Sequence, residues 1–554
     1  MRNFLFRRQT NILSAATVIA AAVLLSRILG LIKYRLLLSN QFGFTPADVG
    51  VFLAAFKLPN FLFDLIVMGA LTTAFIPIFT SYLAKDKNDE ANQIASTVLN
   101  ISILAFLALS LVFFVFTDPI IRLIAPGLTA SEVDLVIPFT RIMLLGQTLP
   151  LILGNFLTGI LQSHKRFLVP ALAPVVYNLG IIAGIFFLSP TLGLYGPVWG
   201  VVVGAIFFLL IQIPLSRHLK FVYRPIIKTS LAGVKDIGRL FFPRVAGLAF
   251  NQVNYLVTFS LSTLFGARGI TIFSFAQQLE QLPVSLFATT ISQAALPTLS
   301  EEREKDDQLA TFKTTFLTSF HQILFLTLPA AAMLVVLRIP VVRLVYGASQ
   351  FDWFATVDTG RTLAFLGLGL IGESLVNLLV RGFFAIHDSK TPVTIGAATV
   401  GLNIVLSIVL ILLFHVPVWG LALAAALADT TYAAILLVYF HRRVGRFALP
   451  DLLIPAGKML LAATLAGVFL YVPMKLLDQL VFDTTRTIPL ILLTGLACFT
   501  GLAVYFFLTW VLQIEELKAF LGLFARFKTV LFSAEETVSE VVTEGVPNES
   551  VTNS

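Results

Sequence analysis

The chain is 554 residues long, 57% hydrophobic and only 12% charged, a balance that excludes an ordinary soluble domain. Its net charge of +8 does not point to nucleic acid, because Lys and Arg sit mostly in short loops between apolar runs, the pattern of topology signals. The single cysteine, Cys498, lies in an apolar run, so neither a disulfide framework nor a thiolate metal cluster is expected.

Apolar windows long enough to cross a bilayer recur from the N-terminus to about Leu512, which predicts an all-α polytopic membrane protein. The short alternating segments of a β-barrel do not dominate. Fourteen spans are read, at about 13–38, 47–83, 93–117, 132–162, 168–188, 194–214, 238–264, 268–298, 314–338, 357–385, 392–414, 417–440, 456–474 and 488–512. The first, preceded by Arg2, Arg7 and Arg8, resembles a signal peptide over Asn11–Leu25. The apolar run continues to Leu38 with no polar cleavage region, so it is expected to be retained. The second span is too long for one straight crossing and carries Pro59, Gly69 and Pro77, which predicts a bend or a break.

Basic loops alternate with these spans. Lys85, Lys87, Lys165, Arg166, the 215–237 loop, Arg303, Lys305, Arg442, Arg443 and Arg446 fall on the side of the N-terminus, while LSNQFGFTPAD and LSPTLGLYGP carry no Lys or Arg. Both termini are therefore expected in the cytoplasm. An internal repeat organises the rest. DPIIRLIAPG (118–127) recurs as IPVVRLVYGA (339–348), and YGPVWGVVVG (195–204) as HVPVWGLALA (415–424), with an offset of about 220 residues. Six helices fit in that offset, and an even number preserves orientation, so the halves should be parallel repeats about the membrane normal. The expected division is an N-lobe over 1–214, a cytoplasmic inter-lobe loop over 215–237 and a C-lobe over 238–440. Two extra helices follow over 456–512, then an amphipathic segment and a disordered acidic tail over 513–554. Two lobes around a path describe a transporter. There is no Walker loop or HExxH, and the histidines have no metal-ligand spacing, so neither catalysis nor a metal is expected.

The candidate functional residues are charges and amides in apolar surroundings, where an ionisable group is expensive and is read as functional or snorkelling. SRILGLIKYRLLL (26–38) holds Arg27, Lys33 and Arg35. One straight helix does not gather all three, and Gly30 permits a bend. Arg27 lies deepest and is read as cavity-facing, whereas Arg35 is read as snorkelled to the outer headgroups. Lys57 and Asp64 share a helical face, which suits an ion pair with each other or with neighbours. Arg141 and Arg361 occupy corresponding repeat positions, suiting equivalent helix bracing. Arg244 follows Pro243, read as the start of span seven and as turning the arginine inward. Asn251, Gln252 and Asn254 give that span a polar face, for cargo or for helix–helix contact. Glu280 and Glu373 are the acidic residues expected at depth.

SRILGLIK (26–33), FKLPNFLF (56–63), GALTTAFIPIF (69–79), RFLVPALAPVVYN (166–178), FAQQLEQLPVSLF (275–287), AALPTLSEE (294–302) and SKTPV (389–393) together resemble the MurJ (MviN) family. These are the lipid II flippases of the multidrug/oligosaccharidyl-lipid/polysaccharide exporter superfamily. The resemblance runs through span fourteen. It implies two lobes around a central cationic cavity, with helices 13 and 14 forming a lipid-tail groove. It also implies movement of undecaprenyl-pyrophosphate-linked disaccharide-pentapeptide from the inner to the outer leaflet of the bacterial cytoplasmic membrane. Arg27 and Lys33 match the two basic positions of the family's first helix, and Asn178 its fifth-helix asparagine.

Departures accompany the match. Tyr34 stands where many members have an acidic residue, Phe63 replaces an arginine of the second helix, and Gln277-Gln278 replaces an Asp-Arg pair. The substrate-binding set expected here is therefore Arg27, Lys33, Asn178, Arg244, Gln252, Gln277 and Gln278. No cofactor is expected, a coupling cation or the membrane potential supplying the drive, and the chain is expected to act as a monomer. The alternatives are an exporter of another polyprenyl-linked glycan, a multidrug antiporter of the same superfamily, and a non-transporting scaffold. The basic first helix argues against cationic drugs.

Overall fold

A computed structural model describes residues 12–68, 75–219, 221–305, 309–480 and 486–522. Every regular element among them is helical, as lipid requires of a chain that must satisfy its own backbone hydrogen bonds. Among the described residues twelve helices or helix pairs are long and apolar enough to span a bilayer. Two more, Ile12–Leu37 and Ala232–Thr263, stand where spans one and seven are expected. The chain is a multi-pass membrane protein.

Within the described residues the second span runs as Pro46–Ala55 and Lys57–Phe63, then a widened π-helical turn at Asp64–Met68, with Ile76–Leu83 beyond; residues 69–74, Gly69 among them, lie outside the described residues. Another such turn, Val284–Thr289, lies about 220 residues later in the eighth span, matching the offset of the sequence repeat. The repeated PIIRLI and PVVRLV motifs also behave alike. Each forms a short helix, Thr117–Ile124 and Arg338–Tyr346, directly after a long one.

The described residues fall into two compact units. The first comprises Met1–Leu282, Leu337–Gly372 and Ser389–Ala434, and the second Pro283–Val336, Glu373–Asp388 and Ile435–Ser554. In the first, the fifth helix, Leu168–Leu192, packs on the sixth, Tyr195–Leu210, and on the first. A glycine seam makes the former contact. A Cβ at Gly180 would fall 2.3 Å from the Gly204 Cα, and one at Gly184 2.2 Å from the Gly200 Cα. Four-residue glycine spacing on both helices lets the backbones touch where no hydrophobic force acts between helices.

Residues 221–231, within the expected inter-lobe loop, lie along the third helix, Asn88–Val115. Ser96 and Thr97 accept the main-chain N–H groups of Arg224 and Lys228, and the Asn100 amide donates to the carbonyls of Arg224 and Ile226. The seventh helix then begins at Ala232, well before Pro243, so Pro243 is not its start. Proline lacks one donor, which an already established helix tolerates at a membrane-embedded position.

In the second unit, helix Ala310–Val336 packs against Leu449–Leu480 and Thr487–Val511. Tyr505 donates its hydroxyl to the Phe325 carbonyl at 2.8 Å, and Lys458 caps the last helix through the Leu512 carbonyl at 3.0 Å. A short helix over 515–522 follows, docked by buried Ile514 and Leu517. The acidic tail expected from Ser533 lies outside the described residues, as do Arg2, Arg7 and Arg8.

Candidate functional site

A cavity of about 470 Å³ in the first unit is lined by Ser26, Arg27, Gly30, Lys33, Asn178, Tyr255, Gln277, Gln278 and Gln281, with leucines at its edges. Four helices build it, Ala232–Thr263 contributing Tyr255. The first presents residues 26, 27, 30 and 33 at helical spacing, the fifth contributes Asn178, and helix Gly266–Pro283 presents 277, 278 and 281, one face at i, i+1 and i+4. The first helix is unbroken through Gly30, where a side chain would meet nothing within 4 Å, so no break there is needed to bring Arg27 and Lys33 together.

Asn178 is the organiser. Its amide donates to the Ser26 carbonyl at 3.1 Å, the Ser26 hydroxyl at 3.0 Å and the Pro174 carbonyl at 3.2 Å. With the amide thus committed, its oxygen faces Lys33, whose Nζ donates to it at 3.4 Å. The Lys33 ammonium also lies 4.9 Å from the centre of the Tyr34 ring, a cation–π contact. Both partners are neutral. Among the described residues no carboxylate lines the cavity, and no ion pair involves Arg27 or Lys33. The wall therefore presents two cations and several amide dipoles, an arrangement complementary to an anion with hydrogen-bonding oxygens.

Arg27, Lys33, Asn178, Gln277 and Gln278, five members of the expected substrate-binding set, line this one cavity. Gln252 is not among the lining residues: its amide donates to Asp64 at 3.1 Å. Arg244 lies in the seventh helix, and its side chain is outside the described residues. The ion pair expected of Lys57 and Asp64 with each other does not form. Lys57 Nζ sits 4.7 Å over the Phe259 ring instead. The Arg35 guanidinium donates to the Leu344 carbonyl. Arg141 braces its neighbour, donating to the Phe114 carbonyl at 3.2 Å, whereas Arg361 is exposed beside Asp358, so the duplicated arginines do not make equivalent contacts. Gln281 was missed, though its spacing from Gln277 and Gln278 carried the signal. It donates to Glu280 at 3.2 Å, and Glu280 is buried at 3% exposure. Among the described residues no cluster of side chains is suited to a metal ion.

Comparison with known proteins bears on the family and the fold. The family profile described as "Lipid II flippase MurJ" matches residues 38–489, a stretch beginning after Arg27 and Lys33, which are placed in the cavity by the structure. A lipid II flippase MurJ from Burkholderia cenocepacia is 26% identical over 70% of this chain and 76% of its own length. A probable lipid II flippase MurJ from Bdellovibrio bacteriovorus is 27% identical over 92% and 96%. A solved structure described as lipid II flippase MurJ in an inward closed conformation superposes with a TM-score of 0.72 at 25% identity, covering 88% of this chain and 99% of that one. An inward-facing multidrug-resistance MATE transporter of the MOP superfamily shares the fold at 15% identity and a TM-score of 0.66. Its cover is 76% of this chain and 94% of its own. With most of its length matched by the family profile, this chain belongs to the MurJ family of lipid II flippases.

Proposed function

We propose that this protein flips lipid II from the inner to the outer leaflet of the bacterial cytoplasmic membrane for cell-wall synthesis, without altering its cargo chemically. Movement is by alternating access between two six-helix lobes, 1–214 and 238–440, with a coupling cation or the membrane potential supplying direction. The last two helices guide the lipid tail.

The observation that carries the reading is the pair of cations, Arg27 and Lys33, on a cavity wall without carboxylates. A diphosphate leaving water loses strong hydration, and charge-assisted hydrogen bonds in a partly desolvated cavity offset that loss. The amides of Gln277, Gln278 and Gln281 supply neutral donors for the remaining phosphate and sugar oxygens. A small cationic drug would meet the wrong sign of charge, which disfavours multidrug export. Complementation tests the reading. Cells depleted of their own lipid II flippase should grow when this chain is expressed and should fail with an equally abundant Arg27→Ala variant. Failure of the parent chain to restore growth at normal expression would refute it.

A further inference from the structure

The helices that bring Tyr255, Gln277, Gln278 and Gln281 to the cavity, Ala232–Thr263 and Gly266–Pro283, are joined by a two-residue turn at 264–265. That turn is seated between two glycines from the first part of the chain. At Gly50 a Cβ would lie 1.8 Å from the Ala267 carbonyl oxygen, and at Gly127 one would lie 2.0 Å from the Thr263 carbonyl oxygen. The opposing atoms are main chain, so no rotamer change relieves either clash. Hydrogen bonds fix the seat: the Gly127 N–H donates to the Thr263 hydroxyl at 3.2 Å, and the Thr271 hydroxyl to the Pro46 carbonyl at 2.6 Å. Nearer the cavity lies an aromatic layer. Phe275 stacks on Tyr346 with centroids 3.9 Å apart and meets Tyr34 at 5.2 Å, and all three are buried. Beside it Arg35 donates to the Leu344 carbonyl, and the Gln350 N–H donates to the Leu38 carbonyl at 3.1 Å.

We propose that Gly50 and Gly127 are positioning residues of a seal that closes the cavity at its Leu38 end. They hold the 232–283 helix hairpin against the start of the second span, and the aromatic layer completes the closure. Backbone contact at glycine is close to all-or-none, so an added methyl disfavours the closed arrangement without replacing any cavity side chain. The open arrangement, in which these surfaces part, does not meet the clash and gains population. The inference rests on the transport reading only in giving the seal a role in the cycle.

The test uses the full chain in a Cys498→Ala background with Tyr255→Cys as reporter. An impermeant maleimide is added at the face where Thr45→Cys is labelled. Gly50→Ala and Gly127→Ala should each raise reporter labelling about tenfold or more. Gly401→Ala, where a Cβ meets nothing within 4 Å, should leave it unchanged. Folded Gly50→Ala and Gly127→Ala proteins labelled at the parent rate would overturn the proposal. Should these variants not fold, cysteines at Pro46 and Thr271 decide. Their oxidation should stop lipid II transport and reductant should restore it, whereas full cross-linking with undiminished transport overturns the seal. A parent that moves no lipid II defeats the proposed function, while the labelling experiment still decides the seal.

Discussion

Lys33 Nζ stands 3.4 Å from Asn178 Oδ1, and the amide of the same asparagine grips the carbonyl and hydroxyl of Ser26. One side chain of the fifth helix thus fixes two turns of the first and aims its cation at the cavity. Asn178→Ala should weaken lipid II binding about five- to twentyfold, the effect of losing one oriented charged hydrogen bond. Asn178→Asp keeps the shape but pairs Lys33 with a carboxylate, so binding should fall further than in the alanine variant. Titration of detergent-solubilised protein with lipid II checks both, and equal affinities for the two variants would remove the charge argument.

The sign of the cavity should be adjustable at Gln278. Gln278→Glu places an anion on a wall that has none and should lower affinity for lipid II about tenfold or more, whereas Gln278→Arg should raise it. Binding measured at two ionic strengths tests the electrostatic origin. The difference between the variants should shrink in higher salt.

The glycine seam should be intolerant of volume. Gly184→Val drives side-chain atoms into the Gly200 backbone and should cost about 1–3 kcal/mol, the range for overpacking a close interface. Gly495→Val, at a helix position with nothing within 4 Å of the added Cβ, should cost far less. Thermal unfolding in detergent ranks the two variants.

The side of each loop follows from single cysteines in the Cys498→Ala background. Thr45→Cys and Thr191→Cys should react with an impermeant maleimide outside intact cells, and Lys228→Cys should react only after permeabilisation. The reverse pattern would invert the proposed topology.

Much of the fold was legible in the sequence because the bilayer leaves few choices. Long apolar runs must become helices, and a second span carrying Pro59 is irregular, with a widened π-helical turn at Asp64–Met68. The paired charges Arg27 and Lys33 were also readable, since a cation in an apolar run needs a reason. Partners across helices were not readable. Arg35 was read as snorkelling, and the carbonyl that accepts its hydrogen bond, Leu344, is distant in sequence. Lys57 looked like half of an ion pair, but an aromatic face was within reach. The inter-lobe loop was read only as cytoplasmic, yet Asp89, Gln93, Ser96, Thr97 and Asn100 form a polar stripe at helical spacing in the third span. That stripe holds the loop by its main chain and by Arg224 and Lys228, and its period was the available clue.

Transport of lipid II by the purified chain in sealed proteoliposomes tests the central claim most directly, comparing the parent with Arg27→Ala at matched reconstitution and thermal stability. The account predicts that the parent moves lipid II between leaflets. Arg27→Ala should need roughly ten- to a hundredfold more cargo to reach the same rate, the loss expected for one charge-assisted contact to the diphosphate. A parent that leaves lipid II in place, or an Arg27→Ala protein that transports it with unchanged concentration dependence, would contradict the account.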